Sequence, residues 1–185
     1  MKDKNILIGV TGGIACYKIC DVITYLKREG ANVDVIMTEN ATKFITPLTL
    51  ETLAKSAVVV DMFHEKEHVD VEHISLARKA DLVLIAPATA NIIGKIANGI
   101  ADDMLSTTVM ATKAPVLIAP AMNNGMYENK IVQDNIKKLK KYGYKFIDPM
   151  EGNLACGYKA VGKLADRNTI IENIRDLLKE EKYEK

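Results

Sequence analysis

Three side chains along the sequence could do chemistry, and the first is an asparagine in a polar loop. Asn123 lies in the stretch 120–127, directly after the apolar run 115–119. A buried strand is expected to end there, and the carboxyl end of such a strand is where open α/β sheets bind ligands. The Asn123 amide could orient a carboxylate without adding charge. The same loop is equally typical of an ordinary turn, in which Asn124 or Gly125 would take a positive φ.

A histidine and a cysteine are the other two candidates. His73 opens a short helical pattern, where it could transfer protons, because histidine titrates near neutral pH when unperturbed. A surface or capping histidine would fit the same position. Cys156 lies in the polar, glycine-containing stretch 148–167, and loops of that length are usually lids, binding loops or disordered. The remaining cysteines, Cys16 and Cys20, lie one turn apart on the first predicted helix, where packing is expected.

Composition excludes several classes of function. The chain has 185 residues, of which 48% are hydrophobic and 26% charged, as in an ordinary globular domain. Its 25 Lys and Arg against 24 Asp and Glu produce no field that would attract nucleic acid or an anionic membrane. No run is long enough for a membrane span or a signal peptide, so a cytoplasmic location is expected.

A metal site is not expected either. The three cysteines contain no C-x-x-C pair, which argues against both a disulfide framework and a zinc site. His64, His68 and His73 have spacings of four and five residues, which do not place all three on one helical face.

Hydrophobic periodicity predicts strands that alternate with helices. Strands are expected over 4–10, 32–38, 57–60, 82–86, 115–119 and 144–147, and helices over 14–28, 47–55, 92–97, 102–111, 128–141 and 168–182, with a short one from His73. The near-continuous apolar run 82–86 is typical of a central parallel strand that is buried on both faces. We therefore expect a single α/β domain with a doubly wound, mainly parallel sheet.

Small-residue loops follow three of these strands, after Val10, after Ala86 and after Ala119. They should converge on one edge of the sheet and leave room for a flat ring. Glycines at positions 9, 12 and 13 match neither G-x-G-x-x-G nor a P-loop. Gly12 and Gly13 could still let an anion approach the backbone, or they could merely turn the chain. Ser106 could donate to a phosphate or be an ordinary helical residue.

Five segments together closely resemble the flavin-dependent cysteine decarboxylases, and most nearly the phosphopantothenoylcysteine decarboxylases of coenzyme A synthesis. They are TGGIA at 11–15, EHI at 72–74, PATAN at 87–91, PAMNNGM at 120–126 and ACG at 155–157. The resemblance runs in order through nearly all of the chain. Tyr127 departs from the family's frequent Trp, and Ala160 and Lys163 stand where it usually has Gly and Arg.

The resemblance implies a Rossmann-like or flavodoxin-like three-layer fold over residues 1–185, with 148–167 as a flap that covers the substrate. It implies FMN bound at subunit interfaces of a homo-oligomer, either a trimer or a dodecamer. The residues that would line FMN are Gly12, Gly13, Ile14, Thr38, Thr89, Ala90, Asn91, Ser106 and Ala121. Those that would contact the substrate, 4′-phosphopantothenoylcysteine, are Asn123, Met126, Asn153, Ala155 and Lys163.

The implied reaction converts that substrate to 4′-phosphopantetheine, and His73, Asn123 and Cys156 would perform it. Direct loss of CO2 would leave negative charge on a carbon that cannot delocalise it. Oxidation of the thiol to a thioaldehyde makes the carboxylate resemble that of a β-keto acid, and the enethiol left by decarboxylation is then reduced. We expect His73 to handle protons, Asn123 to hold the substrate carboxylate, and Cys156 to donate the last proton.

Three alternatives stay open. Peptidyl-cysteine decarboxylases of lantibiotic biosynthesis share the histidine and the asparagine loop but stop at the enethiol. A non-catalytic flavin-binding regulator could have the same fold. An NAD-dependent enzyme with Glu39 on a ribose is disfavoured by the missing G-x-G-x-x-G. The sequence is expected to be either a free-standing decarboxylase or one domain of a longer protein that continues into a synthetase.

Overall fold

The computed structural model describes residues 1–63, 71–153 and 159–180 of the chain. Its central sheet consists of parallel strands in the order β3-β2-β1-β4-β5-β6. The strands are β1 (Asn5–Val10), β2 (Asn32–Met37), β3 (Val58–Val59), β4 (Leu82–Ala88), β5 (Val116–Pro120) and β6 (Lys145–Phe146). The helices are α1 (Ile19–Arg28), α2 (Pro47–Ala54), α3 (Glu72–Lys79), α4 (Ala90–Ala97), α5 (Met104–Ala111), α6 (Asn124–Tyr127), α7 (Lys130–Lys141) and α8 (Arg167–Glu180).

Both faces of the sheet are covered by helices, which gives a three-layer α/β/α fold. Along β4, Leu82 and Leu84 face one layer while Val83 and Ile85 face the other, and all four are fully buried. The first layer contains α1, α2 and α8, and the second contains α3, α4, α5 and α7. A strand buried on both sides requires the continuous apolar run that the sequence has there. The predicted doubly wound parallel fold is therefore confirmed.

The winding of the sheet reverses between β1 and β4. The chain builds β1, β2 and β3 towards one edge, then returns to place β4, β5 and β6 on the other side of β1. At such a reversal the loops that leave the two central strands diverge and open a crevice at their carboxyl ends. The loops after β1, β4 and β5, predicted to converge, lie along this edge.

Several element boundaries differ from the sequence prediction for local reasons. The helix predicted over 14–28 begins as a 3-10 helix, Ile14–Lys18, before α1. β4 extends to Ala88, beyond the predicted end of that strand at 86. The last helix, predicted from 168, begins at Arg167, and the preceding Asp166 carboxylate accepts hydrogen bonds from the Thr169 amide at 2.9 Å and the Thr169 hydroxyl at 3.0 Å.

The stretch 148–167 was predicted as one long loop, but it contains a two-stranded antiparallel hairpin. The strands are β7 (Met150–Asn153) and β8 (Lys159–Lys163), and the connecting residues 154–158 lie outside the described ranges. Neither strand has the apolar alternation that would have revealed it. Met150 pairs with Lys163 while Glu151 pairs with Val161, so Gly162 is the extra residue of a bulge.

A partly buried ion cluster of Lys95, Asp102 and Asp103 fixes the start of α5. Asp103 caps the helix by accepting the Ser106 amide at 2.8 Å, and the Ser106 hydroxyl accepts the Asp103 amide in return. Lys95 binds Asp102 at 2.6 Å and Asp103 at 2.7 Å. Burial alone would raise the pKa of the Asp103 carboxyl, but the hydrogen bonds from Lys95 and Ser106 outweigh it and hold that pKa below its ordinary value.

No helix within the described residues combines the length and hydrophobicity that a membrane span requires.

Substituting Gly9 with alanine should destabilise the fold by about 1–3 kcal/mol, because β1 is packed directly against α5. A Cβ at Gly9 would overlap Cδ1 of Leu105 and lie 3.0 Å from its Cδ2. Chemical denaturation of Gly9→Ala, Leu105→Ala and the double variant measures the coupling. The free energy of unfolding lost by the double variant should be smaller, by at least about 1 kcal/mol, than the sum of the losses in the two single variants. Strictly additive losses would contradict this packing.

Because of the Asp103 carboxyl, the stability of the fold should decrease as the pH becomes acidic. A carboxyl whose pKa is lower in the folded chain contributes stability above its unfolded-state pKa of about 3.9. That contribution is lost as pH falls through the folded-state value. Asp103→Asn keeps a capping oxygen but removes this titration, so it should be less stable than wild type at pH ~6, and the difference should shrink towards pH ~2. Denaturant unfolding of the wild type and of Asp103→Asn across this pH range measures the difference in their free energies of unfolding. A difference that did not change with pH would refute the prediction.

Candidate functional site

A cavity of about 730 Å³ opens at the carboxyl ends of β1, β4 and β5, beside β8. Its volume falls in the range of pockets that bind cofactors and drug-sized ligands. The residues that line it are Gly12, Gly13, Ile14, Ala15, Tyr17, Lys18, Thr89, Ala90, Ala121, Met122, Asn123, Met126, Gly162, Lys163 and Leu164. The three small-residue loops and the hairpin therefore contribute to one site.

The Thr11 side chain joins the loops that leave β1 and β4. Its buried hydroxyl donates to the Pro87 carbonyl at 2.6 Å and accepts from the Thr89 amide at 3.1 Å. The Thr89 hydroxyl in turn accepts from the Ile92 amide and caps α4. Two loops that are far apart in sequence are thus held in one geometry, and the start of α4 is fixed with them.

The two loop glycines serve the site in different ways. A Cβ on Gly12 would lie 2.5 Å from Cβ of Asn40, so this glycine lets the loops after β1 and β2 pack together. A Cβ on Gly13 would meet only Cγ2 of Thr89, at 3.9 Å, so Gly13 faces open space at the cavity wall. Neither has a positive φ. Gly12 is thus needed for packing, and Gly13 keeps the cavity wide.

Asn123 is an N-cap as well as a cavity residue. Its amide oxygen accepts the Gly125 amide at 2.9 Å and starts the short helix α6. The predicted turn with a positive φ at Asn124 or Gly125 was wrong, because both residues are helical. The cap fixes the orientation of the side chain, so the amide nitrogen is the atom through which Asn123 would donate to a carboxylate.

The hairpin is attached to the cavity by its bulge. The Met122 amide donates to the Gly162 carbonyl at 3.0 Å, and a Cβ at position 162 would collide with the Met122 carbonyl oxygen. Gly162 also has a φ of +148°, which side chains rarely tolerate. Only glycine therefore allows β8 to lie this close to the loop after β5, and this contact brings Lys163 to the cavity.

Most residues predicted to contact FMN or the substrate line this cavity, and some do not. Those in its wall are Gly12, Gly13, Ile14, Thr89, Ala90, Ala121, Asn123, Met126 and Lys163. Asn91 is exposed on α4 and is not in the wall. Ser106 is fully buried, and its hydroxyl is engaged by Asp103. Ser106 is therefore part of the helix cap and not a phosphate donor at the cavity.

His73 and Cys156 are not brought together by the described residues. His73 is partly buried on the first turn of α3 and is not in the cavity wall. Cys156 and Ala155 lie outside the described ranges, in the connection between β7 and β8. Asn153 is the last residue of β7. The predicted roles of these residues stay predictions.

Two features of this edge of the sheet fit a flavin. The Thr38 hydroxyl, directly after β2, is buried and has no hydrogen-bond partner among the described residues, although Thr38 is not in the cavity wall. Buried polar atoms are almost always paired, so this hydroxyl indicates a ligand or water that binds there. Ile14 and Tyr17 are both 59% exposed at the cavity, and Met126 is 50% exposed. This apolar surface suits a flat aromatic ring.

Sequence reasoning missed six residues of the wall: Ala15, Tyr17, Lys18, Met122, Gly162 and Leu164. Tyr17 and Lys18 belong to the predicted first helix, whose 3-10 opening turns them towards the cavity. Met122 and Leu164 are neighbours of predicted residues, and proximity in sequence could have indicated them. Among the described residues, no group of three His, Cys, Asp or Glu side chains could hold a metal ion.

Comparison with known proteins identifies relatives over the whole chain. The family described as Flavoprotein matches residues 1–179. The chain is 51% identical to the Coenzyme A biosynthesis bifunctional protein CoaBC of Borreliella burgdorferi, over 98% of this chain and 48% of that protein. It is 45% identical to the probable phosphopantothenoylcysteine decarboxylase of Streptococcus mutans, over 95% of this chain and 99% of that one. The chain spans about half the length of the bifunctional relatives it matches.

The solved structures similar to this chain also include decarboxylases. A mutant of PPC decarboxylase complexed with pantothenoylaminoethenethiol superposes with a TM-score of 0.85 at 28% identity, over 94% of this chain and 97% of that one. SpaF, one of the FMN-dependent cysteine decarboxylases, superposes with a TM-score of 0.81 at 33% identity, over 92% and 94%. A flavin is the cofactor that this membership supports. The chain belongs to the flavoprotein family, and its relatives there include phosphopantothenoylcysteine decarboxylases and other cysteine decarboxylases.

Proposed function

We propose that this chain is an FMN-dependent decarboxylase that converts 4′-phosphopantothenoylcysteine to 4′-phosphopantetheine and CO2. One observation carries the proposal: the loops after β1, β4 and β5 and the strand β8 all contribute to a single cavity. The three loops contain segments on which the resemblance was based, and β8 follows a fourth such segment, 155–157. The relative from Streptococcus mutans, which the chain covers almost completely, has the corresponding name. The proposed location is the cytoplasm.

The proposed flavin site lies on the side of the cavity that the loops after β1, β4 and β5 form. Gly13, Thr89 and Ala90 offer backbone groups and small side chains beside an open wall, and Ala121, after β5, lines the same cavity. The Thr38 hydroxyl would find its missing partner in the cofactor. Bound flavin would supply the two-electron chemistry that removes electrons from the cysteine-derived thiol group and later returns them. The chain itself supplies binding, orientation and proton transfer.

Asn123 is the proposed residue for the substrate carboxylate. Its cap on α6 fixes the amide within the cavity wall, so the amide can donate a hydrogen bond without adding a charge. A neutral donor suits a carboxylate that must later leave as CO2, because a strong ion pair would stabilise the starting acid more than the transition state. Met126, half exposed on the same helix, would contact the apolar part of the substrate.

A homo-oligomer completes the proposed site, either a trimer or a dodecamer. His73 is the proposed proton-transfer group, yet it does not line the cavity of its own chain. The apolar side chains of Ile14, Tyr17 and Met126 are exposed at the cavity. A second copy that covered them would exclude water from the flavin and could bring its own His73 or Asn91 to the site. The FMN sites would then lie at subunit interfaces.

The hairpin is the proposed flap over the substrate, within residues 148–167 of this single domain. Its strands β7 and β8 carry Cys156, Ala155 and Asn153 in or beside their connection. β8 is anchored to Met122 through Gly162, so the end of this strand lies beside the cavity. Cys156 would donate the proton that completes reduction of the enethiol to the saturated thiol.

A peptidyl-cysteine oxidative decarboxylase is the second candidate, because the peptidyl-cysteine decarboxylase EpiD has the same fold, with a TM-score of 0.79 at 25% identity. The purified protein should be yellow, with flavin absorption bands and FMN as the released cofactor. It should release CO2 from 4′-phosphopantothenoylcysteine and form a product two mass units heavier than the enethiol. A peptide that ends in cysteine is the matched control substrate. CO2 release from the peptide alone would favour the second candidate, and bound flavin without any turnover would indicate a non-catalytic regulator.

Cys156→Ser should separate the two halves of the proposed reaction. The variant should still release CO2 but accumulate the enethiol, because serine is too weak an acid to donate the final proton. Mass spectrometry of the product measures this, and Cys20→Ser is a control because Cys20 lies outside the cavity wall on α1. Saturated product formed by Cys156→Ser at the wild-type rate would remove the residue from the mechanism.

A further inference from the structure

Two lysines lie together at the border between the main cavity and a second, smaller one. Lys18 ends the 3-10 segment after β1, and Lys163 ends β8. Both line the main cavity, and both also line a neighbouring cavity of about 330 Å³ in front of α1 and α8. Both lysines therefore lie at the border that the two cavities share.

Neither lysine is neutralised by the described part of the chain. None of the ion pairs there involves Lys18 or Lys163, whereas Lys95 has two carboxylates within 2.7 Å. Burial, and next the positive charge of Lys163, lower the pKa of Lys18. Two like charges in a partly buried site repel each other, and an anion bound between them would relieve the repulsion.

The hairpin positions Lys163 through two glycines. The Lys163 side chain crosses β7 at Gly152, where a Cβ would lie 2.9 Å from its Cδ. The bulge at Gly162 fixes the preceding backbone against Met122. The lysine is therefore directed to the cavity border by close backbone contacts, although its residue type alone would allow many conformations.

The charges around the smaller cavity favour an anion at this border. Its other charged residues are Asp21, Asp166 and Arg167. Asp166 is engaged by Thr169 at the start of α8. A phosphate monoester carries a charge between −1 and −2 near neutral pH and offers three acceptor oxygens, which matches two ammonium groups with three donors each.

We propose that Lys18 and Lys163 together form the subsite for the phosphoryl group of the substrate. This inference rests on the proposed function, because it requires a substrate with its cysteine end near Asn123 and its phosphate at the other end. The subsite would select the phosphorylated pantothenoyl compound over a peptide, since a peptide has no dianion to place between the lysines. Lys18 is then a specificity residue that no family motif quoted above includes.

The test compares kcat/KM for 4′-phosphopantothenoylcysteine and for its unphosphorylated counterpart. The FMN-loaded wild type should prefer the phosphorylated substrate, and Lys18→Gln or Lys163→Gln should each reduce that preference by about 10-fold to 100-fold, mainly through KM. Lys163→Arg should retain most of it. Lys138→Gln, an exposed lysine on α7, is the matched control and should leave the preference unchanged. Retained flavin absorbance and an unchanged Tm check that each variant is folded.

An unchanged preference in both glutamine variants would overturn the assignment. If those variants instead raise the Kd for FMN by a similar factor and keep the substrate preference, the lysines bind the phosphate of the cofactor. The assignment to the substrate is then wrong as well. Calorimetry with 4′-phosphopantetheine and pantetheine tests binding without turnover. A wild type that releases no CO2 but binds the phosphorylated compound more tightly, with dependence on both lysines, would refute the proposed function and support the phosphoryl subsite.

Discussion

The hydroxyl group of Thr11 joins two strands at the point where the sheet changes its direction of winding. It donates to the Pro87 carbonyl and accepts from the Thr89 amide, so both of its hydrogen-bonding roles are used within the buried interior. The loops after β1 and β4 diverge to opposite faces there, and nothing in the local sequence of either loop fixes their separation. A crevice whose width must match a flat ring needs such a connection, because a buried, fully paired hydroxyl tolerates little displacement.

The parts of the fold that could be predicted are those with a strong local pattern. β4 is apolar at every position because both of its faces are covered, and the amphipathic α7 presents Ile136 and Leu139 to the sheet. Parallel strands deliver their following loops to one edge, so the convergence of the TGGIA, PATAN and PAMNNGM segments follows from topology alone. The cavity wall at Gly13, Thr89 and Asn123 was therefore accessible from the sequence.

The parts that escaped prediction depend on contacts between distant segments. The hairpin has no apolar period, and it lies beside the cavity because the Gly162 carbonyl accepts the Met122 amide. Ser106 was a reasonable phosphate donor by residue type, but a reciprocal cap with Asp103 uses its hydroxyl. His73 shows a further limit, because spacing along one chain contains no information about which residues a second copy would contribute.

The two sides of the cavity differ in how firmly they are built, and this difference bears on specificity. The side formed by β1, β4 and β5 is held by buried hydrogen bonds and suits a cofactor that stays in place. The other side is a hairpin that the bulge glycine attaches to the loop after β5. Substrate recognition located on such an element can change without disturbing the sheet.

Position 163 is an example of a residue on the hairpin that can change without disturbing the sheet. The resemblance places an arginine there in most relatives, and a planar guanidinium can bind a phosphate with two parallel hydrogen bonds. A lysine provides one compact charge with no preferred plane, so it defines the position of an anion less well on its own. A second cation on a different element would restore that definition. Lys18, in the segment after β1, lines the same two cavities as Lys163, and burial, followed by the charge of Lys163, lowers its pKa. In the proposed subsite the two lysines would act together.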